Sequence, residues 1–285
     1  MYIQRLEEAI QKTNSVACLG LDPFIELYPP SFIDEHKNSD NPNIHMTKIY
    51  MESILEIAQG LVPVVKPQSA FFEAMGIGGI KLYNDLIIRA KEMGFIVIAD
   101  VKRGDIGTTA EAYAKAYMPK ADAVTVNPYM GSDSVEPFIQ QAKEHGCGLY
   151  VLVRTSNPSA GDLQDFKDSN NKSLFEHTAE KVHDWGKNDT HNDLSCVGAV
   201  VGATWPDQGR DLRKLMPNTP FLIPGYGAQG GGREGVKACC RPDGRGILVN
   251  SSRGILYAWR QHKTLDWKKS AQDAIKTMNN DLGNL

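Results

Sequence analysis

Residues 95–109 read Phe-Ile-Val-Ile-Ala-Asp-Val-Lys-Arg-Gly-Asp-Ile-Gly-Thr-Thr. A short apolar run closed by charge predicts a buried strand, and the apolar spacing over Thr108–Met118 predicts a helix directly after it. That is one βα unit. Reading outward, further apolar or β-branched runs recur at Val16–Leu21, Leu61–Lys66, Ala123–Asn127, Gly148–Val153, Val197–Gly202, Phe221–Pro224 and Ile247–Asn250. Segments with helical spacing lie between them, among them Ile77–Met93, Ser134–Glu144 and Ser173–Lys187. Strands alternating with helices imply a parallel sheet, because a parallel neighbour needs a crossover and a helix supplies it. The expected fold is therefore α/β. Eight βα units of ~30 residues nearly exhaust the chain, which favours a single closed (β/α)8 barrel over residues 1–285 rather than two domains of ~150 residues.

Composition narrows the function. Of 285 residues, 41% are hydrophobic and 23% charged, as in ordinary globular proteins and unlike collagen-like, disordered or membrane chains. Thirty-four acidic against 31 basic residues leave a net charge of −3, with no block of like charge to hold nucleic acid or a lipid surface. No apolar run approaches the ~18 residues of a membrane span. The first residues, Met-Tyr-Ile-Gln-Arg-Leu-Glu-Glu, suit an amphipathic helix better than a signal peptide. Five scattered cysteines without a C-x-x-C pair signal neither a disulfide framework nor zinc, so a reducing cytoplasm is expected. The seven histidines show no ligand spacing, and no metal is expected.

Within residues 95–109, Asp100, Lys102 and Asp105 form D-x-K-x-x-D at a strand end. Alternation along a strand sends Asp100 and Lys102 to one side. Two carboxylates flanking an ammonium are costly to desolvate unless paired, so such an array marks a site that acts on a substrate. A solvated ion pair at the strand end is the plainer alternative. Residues 221–232, Phe-Leu-Ile-Pro-Gly-Tyr-Gly-Ala-Gln-Gly-Gly-Gly, contain G-x-G-x-x-G. A dinucleotide site would need that motif in the first βα turn, whereas here it follows the seventh strand. Glycines after strand seven and Ser251-Ser252-Arg253-Gly254 after strand eight match the phosphate position of barrels, with backbone N–H groups facing the anion and Arg253 adding a charged contact. Asp22, Lys66 and Ser156 also sit at strand ends and suit a polar, hydroxyl-bearing substrate. Two long stretches follow strands one and five, Phe24–His45 and Ser156–Ser173, and read as loops of the kind that serve as lids.

The stretch Ala99-Asp-Val-Lys-Arg-Gly-Asp-Ile-Gly-Thr-Thr-Ala-Glu-Ala-Tyr-Ala resembles the signature of orotidine 5′-monophosphate decarboxylases, in their longer bacterial (type 2) subfamily. The resemblance extends to Gly20-Leu-Asp-Pro, Val65-Lys-Pro-Gln-Ser-Ala-Phe-Phe-Glu, Arg154-Thr-Ser-Asn-Pro, Pro224-Gly-Tyr-Gly-Ala-Gln-Gly-Gly and Ser252-Arg253. It implies a (β/α)8 TIM barrel, a homodimer with shared active sites, no cofactor, and conversion of orotidine 5′-monophosphate to UMP, the last de novo step to that nucleotide. Carried over, it makes Lys102 the proton donor and sets Asp100 against the substrate carboxylate. Asp22 and Lys66 take the ribose hydroxyls, Ser156 the pyrimidine edge, and Gln229 and Arg253 the phosphate, with the Ser252 backbone N–H beside them. Asp105, Ile106 and Thr109 reach into the neighbouring subunit's site. Ser252 departs from the shorter subfamily, where glycine precedes the arginine.

Three other readings are weighed. A Schiff-base aldolase needs a neutral lysine, which two flanking carboxylates oppose. A metal-dependent sugar-phosphate decarboxylase shares D-x-K-x-x-D, and a nucleotide sensor would keep only the phosphate loops.

Overall fold

The computed structural model describes residues 1–227, 230–262 and 266–283. Eight parallel strands form a closed barrel: β1 (Ala17–Leu21), β2 (Val64–Pro67), β3 (Ile96–Arg103), β4 (Ala123–Val126), β5 (Gly148–Arg154), β8 (Val197–Val201), β9 (Phe221–Ile223) and β10 (Ile247–Ser251). Between β5 and β8 the short strands β6 (Thr190–His191) and β7 (Leu194–Ser195) pair as an antiparallel hairpin outside the barrel. Going round, the order is β1-β10-β9-β8-β5-β4-β3-β2. The (β/α)8 reading holds, and each predicted strand lies within a few residues of its observed limits. Every residue of β1, β4 and β8 is buried, as a parallel sheet covered on both sides requires.

Packing divides the chain into two units, Met1–Glu7 with Lys102–Asn250, and Glu8–Val101 with the chain from Ser251 onward. In the first, Val124 pairs with Leu149 and Val151 with Ala199. The Tyr2 hydroxyl lies 3.0 Å from that of Tyr150, and Arg5 forms an ion pair with buried Asp122. Arg213 is also buried. Its guanidinium donates to the carbonyls of Cys239, Met216, Thr219 and Gly246 at 2.7–3.1 Å and lies 3.6 Å from the centre of the Phe221 ring. Burial pulls its pKa down to about 10, and four carbonyls stand in for the missing carboxylate.

In the second unit the stretch after β1 is a correction to the sequence reading. Phe24–His45 is not an open loop. It holds a 3-10 turn (Ile25–Leu27), a helix (Pro30–His36) and the start of a long helix (Pro42–Ala58). Both helices begin with proline at the first position, where its fixed φ fits and its missing N–H is not needed. Pro30 and Pro42 are helix starters. Tyr28 stacks on Tyr50 at 4.1 Å between centroids, Tyr50 on Trp267 at 4.3 Å, and Phe32 packs edge-on against Tyr28, Tyr50 and Trp267. The stretch after β5 contains a 3-10 turn (Pro158–Ala160) and one helical turn (Gly161–Gln164), ending at a capping box in which Ser173 and Glu176 bond reciprocally.

Candidate active site

In the second unit, register sets the charged residues. Gly20 of β1 pairs with Lys66 of β2, Val65 pairs with Val97 of β3, and a further bridge joins Gln68 to Asp100. Lys66 and Asp100 emerge as neighbours. Their Nζ–Oδ2 distance is 2.5 Å, and both side chains are nearly inaccessible, at 7% and 6% exposure. Burial works against the Lys66 ammonium, yet the carboxylates of Asp100 and then Asp22 outweigh it and hold its pKa above the ordinary value. Asp22 Oδ1 is buried and accepts no hydrogen bond among the described residues. Burial pushes the nearby Cys18 thiol up to about 12, so it is a neutral neighbour of these charges. Spacing alone groups Asp100 with Lys102 and Asp105. It misses the Lys66–Asp100 pair, which depends on strand register.

After β10, Ser252 precedes the short helix Arg253–Leu256. The Arg253 side chain is exposed and makes no hydrogen bond or ion pair among the described residues, leaving its donors available to an anion. Gln229 lies outside the described residues.

In the first unit, Lys102 is exposed and takes φ +45°, outside the extended geometry on which strand alternation rests. The shared-side argument for Asp100 and Lys102 therefore stops at Val101. The Lys102 N–H donates to Thr125 Oγ1 at 2.9 Å, fixing the backbone where the strand ends. Asp105 Oδ1 accepts from the Ile106 N–H at 2.8 Å, and Ile106 and Thr109 are exposed at the start of the helix Gly107–Tyr117. Ser156 follows the fully buried Arg154. That guanidinium bonds Gln208 at 2.6 Å and Asp165, and lies 4.5 Å from the Trp205 ring centre. Trp205 Nε1 donates to the Thr155 carbonyl, and a Cβ on Gly202 would stand 2.9 Å from Ser156 Cα, so glycine permits this close approach.

The glycine loop follows β9 (Phe221–Ile223). Gly225, Gly227 and Gly230 all have positive φ, which the turn requires. The amides of Gly227, Gly230 and Gly231 donate to carbonyls of Gly231, Gly227 and Gly225 at 2.8–3.0 Å. Each of these three amides therefore already has a carbonyl partner. Arg154 was also missed by the sequence reading, although a lone arginine ending an apolar strand is a visible signal of a buried, satisfied cation.

Among the described residues no group of three or more His, Cys, Asp or Glu could hold a metal ion, and no helix is long and apolar enough to cross a membrane. Residues 18–265 match the family model described as Orotidine 5′-phosphate decarboxylase / HUMPS family. The chain belongs to this family. It is 41% identical to an orotidine 5′-phosphate decarboxylase of Rhodopirellula baltica, the match covering 99% of this chain and 98% of that one. A second relative of the same name, from Caldicellulosiruptor bescii, is 38% identical over 99% and 97% of the two chains. Among solved structures, the OMP decarboxylase of Leishmania donovani superposes with a TM-score of 0.77 at 29% identity, over 99% of this chain and 98% of that one. These family relatives are similar along their whole length, and the barrel is the fold of the solved relative.

Proposed function

We propose that this chain decarboxylates orotidine 5′-monophosphate to UMP and CO2 without a cofactor, as the last step of UMP biosynthesis in the cytoplasm. The observation that carries the reading is Asp100, a buried carboxylate paired with Lys66 two residues before Lys102, in a chain of this family. Loss of CO2 from C6 of the pyrimidine leaves a vinyl carbanion with no adjacent carbonyl to delocalise it. The chain must therefore supply fixed positive charge and a proton, and the Lys102 ammonium does both, delivering its proton to C6. Asp100 stands against the departing carboxylate. Lys66, kept protonated by Asp100, binds the ribose hydroxyls with Asp22, and Ser156 reads the pyrimidine edge. Gln229, Ser252 and Arg253 grip the phosphate, from which binding energy is drawn to hold the base against the charges.

Asp105, Ile106 and Thr109 complete the site of a second copy in a homodimer. The exposure of Ile106 and Thr109, with that of Tyr129 at 80% and Met130 at 50%, supports a covered face there. Ultraviolet measurement of orotidine 5′-monophosphate loss, with and without EDTA, tests the function. Turnover insensitive to EDTA is expected, and a folded Lys102→Ala protein should lose activity by many orders of magnitude. Turnover of that variant within tenfold of the parent would overturn the role of Lys102. Sharing of sites has its own test. Mixing Lys102→Ala and Asp105→Ala chains, with refolding to exchange subunits, makes half the dimers mixed and half of their sites intact, or roughly one quarter of parental activity. Verified mixed dimers no more active than the separate variants would return Asp105 to its own chain's site.

A further inference from the structure

Asp22 Oδ1 accepts no hydrogen bond among the described residues, so no hydrogen bond to that oxygen fixes its place. Its backbone is held instead. The Tyr257 hydroxyl donates to the Asp22 carbonyl at 2.7 Å and accepts from the Phe24 N–H at 2.7 Å, using both hydrogen-bonding faces on one short stretch of chain. Tyr257 is itself buried at 4% exposure and caps the helix Arg253–Leu256 that begins with the unengaged guanidinium. Two further donors tie the same two stretches down. Tyr50 donates to the Leu256 carbonyl at 2.6 Å, and Trp259 Nε1 donates to the Leu27 carbonyl at 3.2 Å. Burial raises the Tyr257 hydroxyl above the ordinary phenol range, so it stays a donor throughout the working pH range.

We propose that Tyr257 is a positioning residue of the reaction: its hydroxyl, at the end of the helix that begins with Arg253, holds the backbone of Asp22 and so sets the ribose-binding carboxylate in register with the phosphate-binding turn. This rests on the roles given above to Asp22 and Arg253. A phosphate gripped by Arg253 then aligns the ribose with Asp22 through protein that does not have to rearrange on binding. Tyr257 touches neither ribose nor phosphate in this reading.

The variant Tyr257→Phe keeps the ring and removes the hydroxyl. For orotidine 5′-monophosphate kcat/KM should fall at least about tenfold, largely through KM, since the hydroxyl's two buried hydrogen bonds, to Asp22 and from Phe24, are lost together. For orotidine, which has no phosphate to be held in register, the fall should be several times smaller. Equal losses for the two substrates would indicate a general structural role and overturn the proposal, as would no loss for either. A second measurement needs no substitution. In the parent protein, inorganic phosphate at concentrations that protect the amides of residues 252–254 should slow hydrogen exchange at the Phe24 amide, although phosphate alone cannot reach a ribose site. Unchanged exchange at Phe24 would overturn the coupling. Failure of phosphate to protect residues 252–254, or of the parent to consume orotidine 5′-monophosphate, would instead remove the functional reading beneath it.

Discussion

The stretch after β1 buries its large side chains, whereas the stretch after β5 exposes its own. Tyr28 and Phe32 are 2% and 6% exposed, while Leu163 and Phe166 are 62% and 72% exposed. Both stretches are polar, both carry proline, and both follow a barrel strand, so their sequences suggest two lids. They are held by different forces. The first is locked by aromatic packing against Tyr50 and Trp267 and by donors from Tyr257 and Trp259. The second is tied by polar side chains, with Arg154 at its base and Asp168 at its tip. Apolar packing is lost only when the helix leaves as a body. A segment closed by hydrogen bonds can open locally with little loss of buried apolar surface. Of the two, the stretch after β5 is the one built to move.

The largest expected effect tests that contrast directly. Phe32→Ala should destabilise the protein by about 3–5 kcal/mol, the range for removing a buried aromatic side chain. Phe166→Ala should change stability by less than about 0.5 kcal/mol, as for an exposed position. Urea midpoints at unchanged m-values measure both. Comparable losses at the two positions would mean that Phe166 is covered in solution and that the contrast is wrong.

Arg154 comes next. Its guanidinium is fully buried; Gln164 and Asp165 join the end of β5 to the stretch beyond it, and Gln208 ties it to the helix Pro206–Leu215. Arg154→Met preserves much of the volume but strands these acceptors, at a cost of about 3 kcal/mol. Arg154→Lys should recover little, because a point ammonium cannot serve three partners in one plane or lie flat against Trp205. Limited proteolysis should then cut residues 156–173 faster while residues 24–45 stay resistant. Faster cutting in both stretches would show that Arg154 supports the whole barrel rather than one insertion.

These cases explain what could be read in the sequence. The barrel strands are legible because a strand buried on both faces is a continuous apolar run, as in Phe95–Ala99. Lys102 and Asp105 are legible through their spacing and their family resemblance. The pairing of Lys66 with Asp100 is not, because it joins residues 34 positions apart through register. Nor is Tyr257, whose hydroxyl acts on the backbone of Asp22 and Phe24 and leaves no pattern in residue type. The helices within Phe24–His45 are not legible either, because proline signals both a break and a helix start, and the packing of Tyr28 and Phe32 decides between them.

The smallest effect concerns the tip of the stretch after β5 and separates it from its counterpart by pH. Asp168 Oδ1 accepts the amides of Asn170 and Lys172 at 2.8 and 3.0 Å, and Oδ2 meets His177 Nε2 at 2.9 Å. The Lys172 amide, then His177 and the Asn170 amide, hold the carboxyl below its ordinary value of 3.8. A carboxylate lowered in the folded state contributes its full stabilisation above the ordinary value and loses it as pH falls through the lower folded value. Protection of the Asn170 and Lys172 amides, corrected for intrinsic exchange, should therefore be flat at neutral and mildly acidic pH and decline below 3.8. In the aromatic cluster after β1, Tyr28 and Phe32 carry no carboxylate, and amides beside them should show no such decline. Asp168→Asn should lower protection at neutral pH and abolish its acid dependence, since an amide side chain accepts more weakly and does not titrate in this range. If protection in the parent protein stayed constant below 3.8, or fell equally beside Tyr28, the carboxylate would not be what closes this turn, and the two stretches would share one mode of attachment.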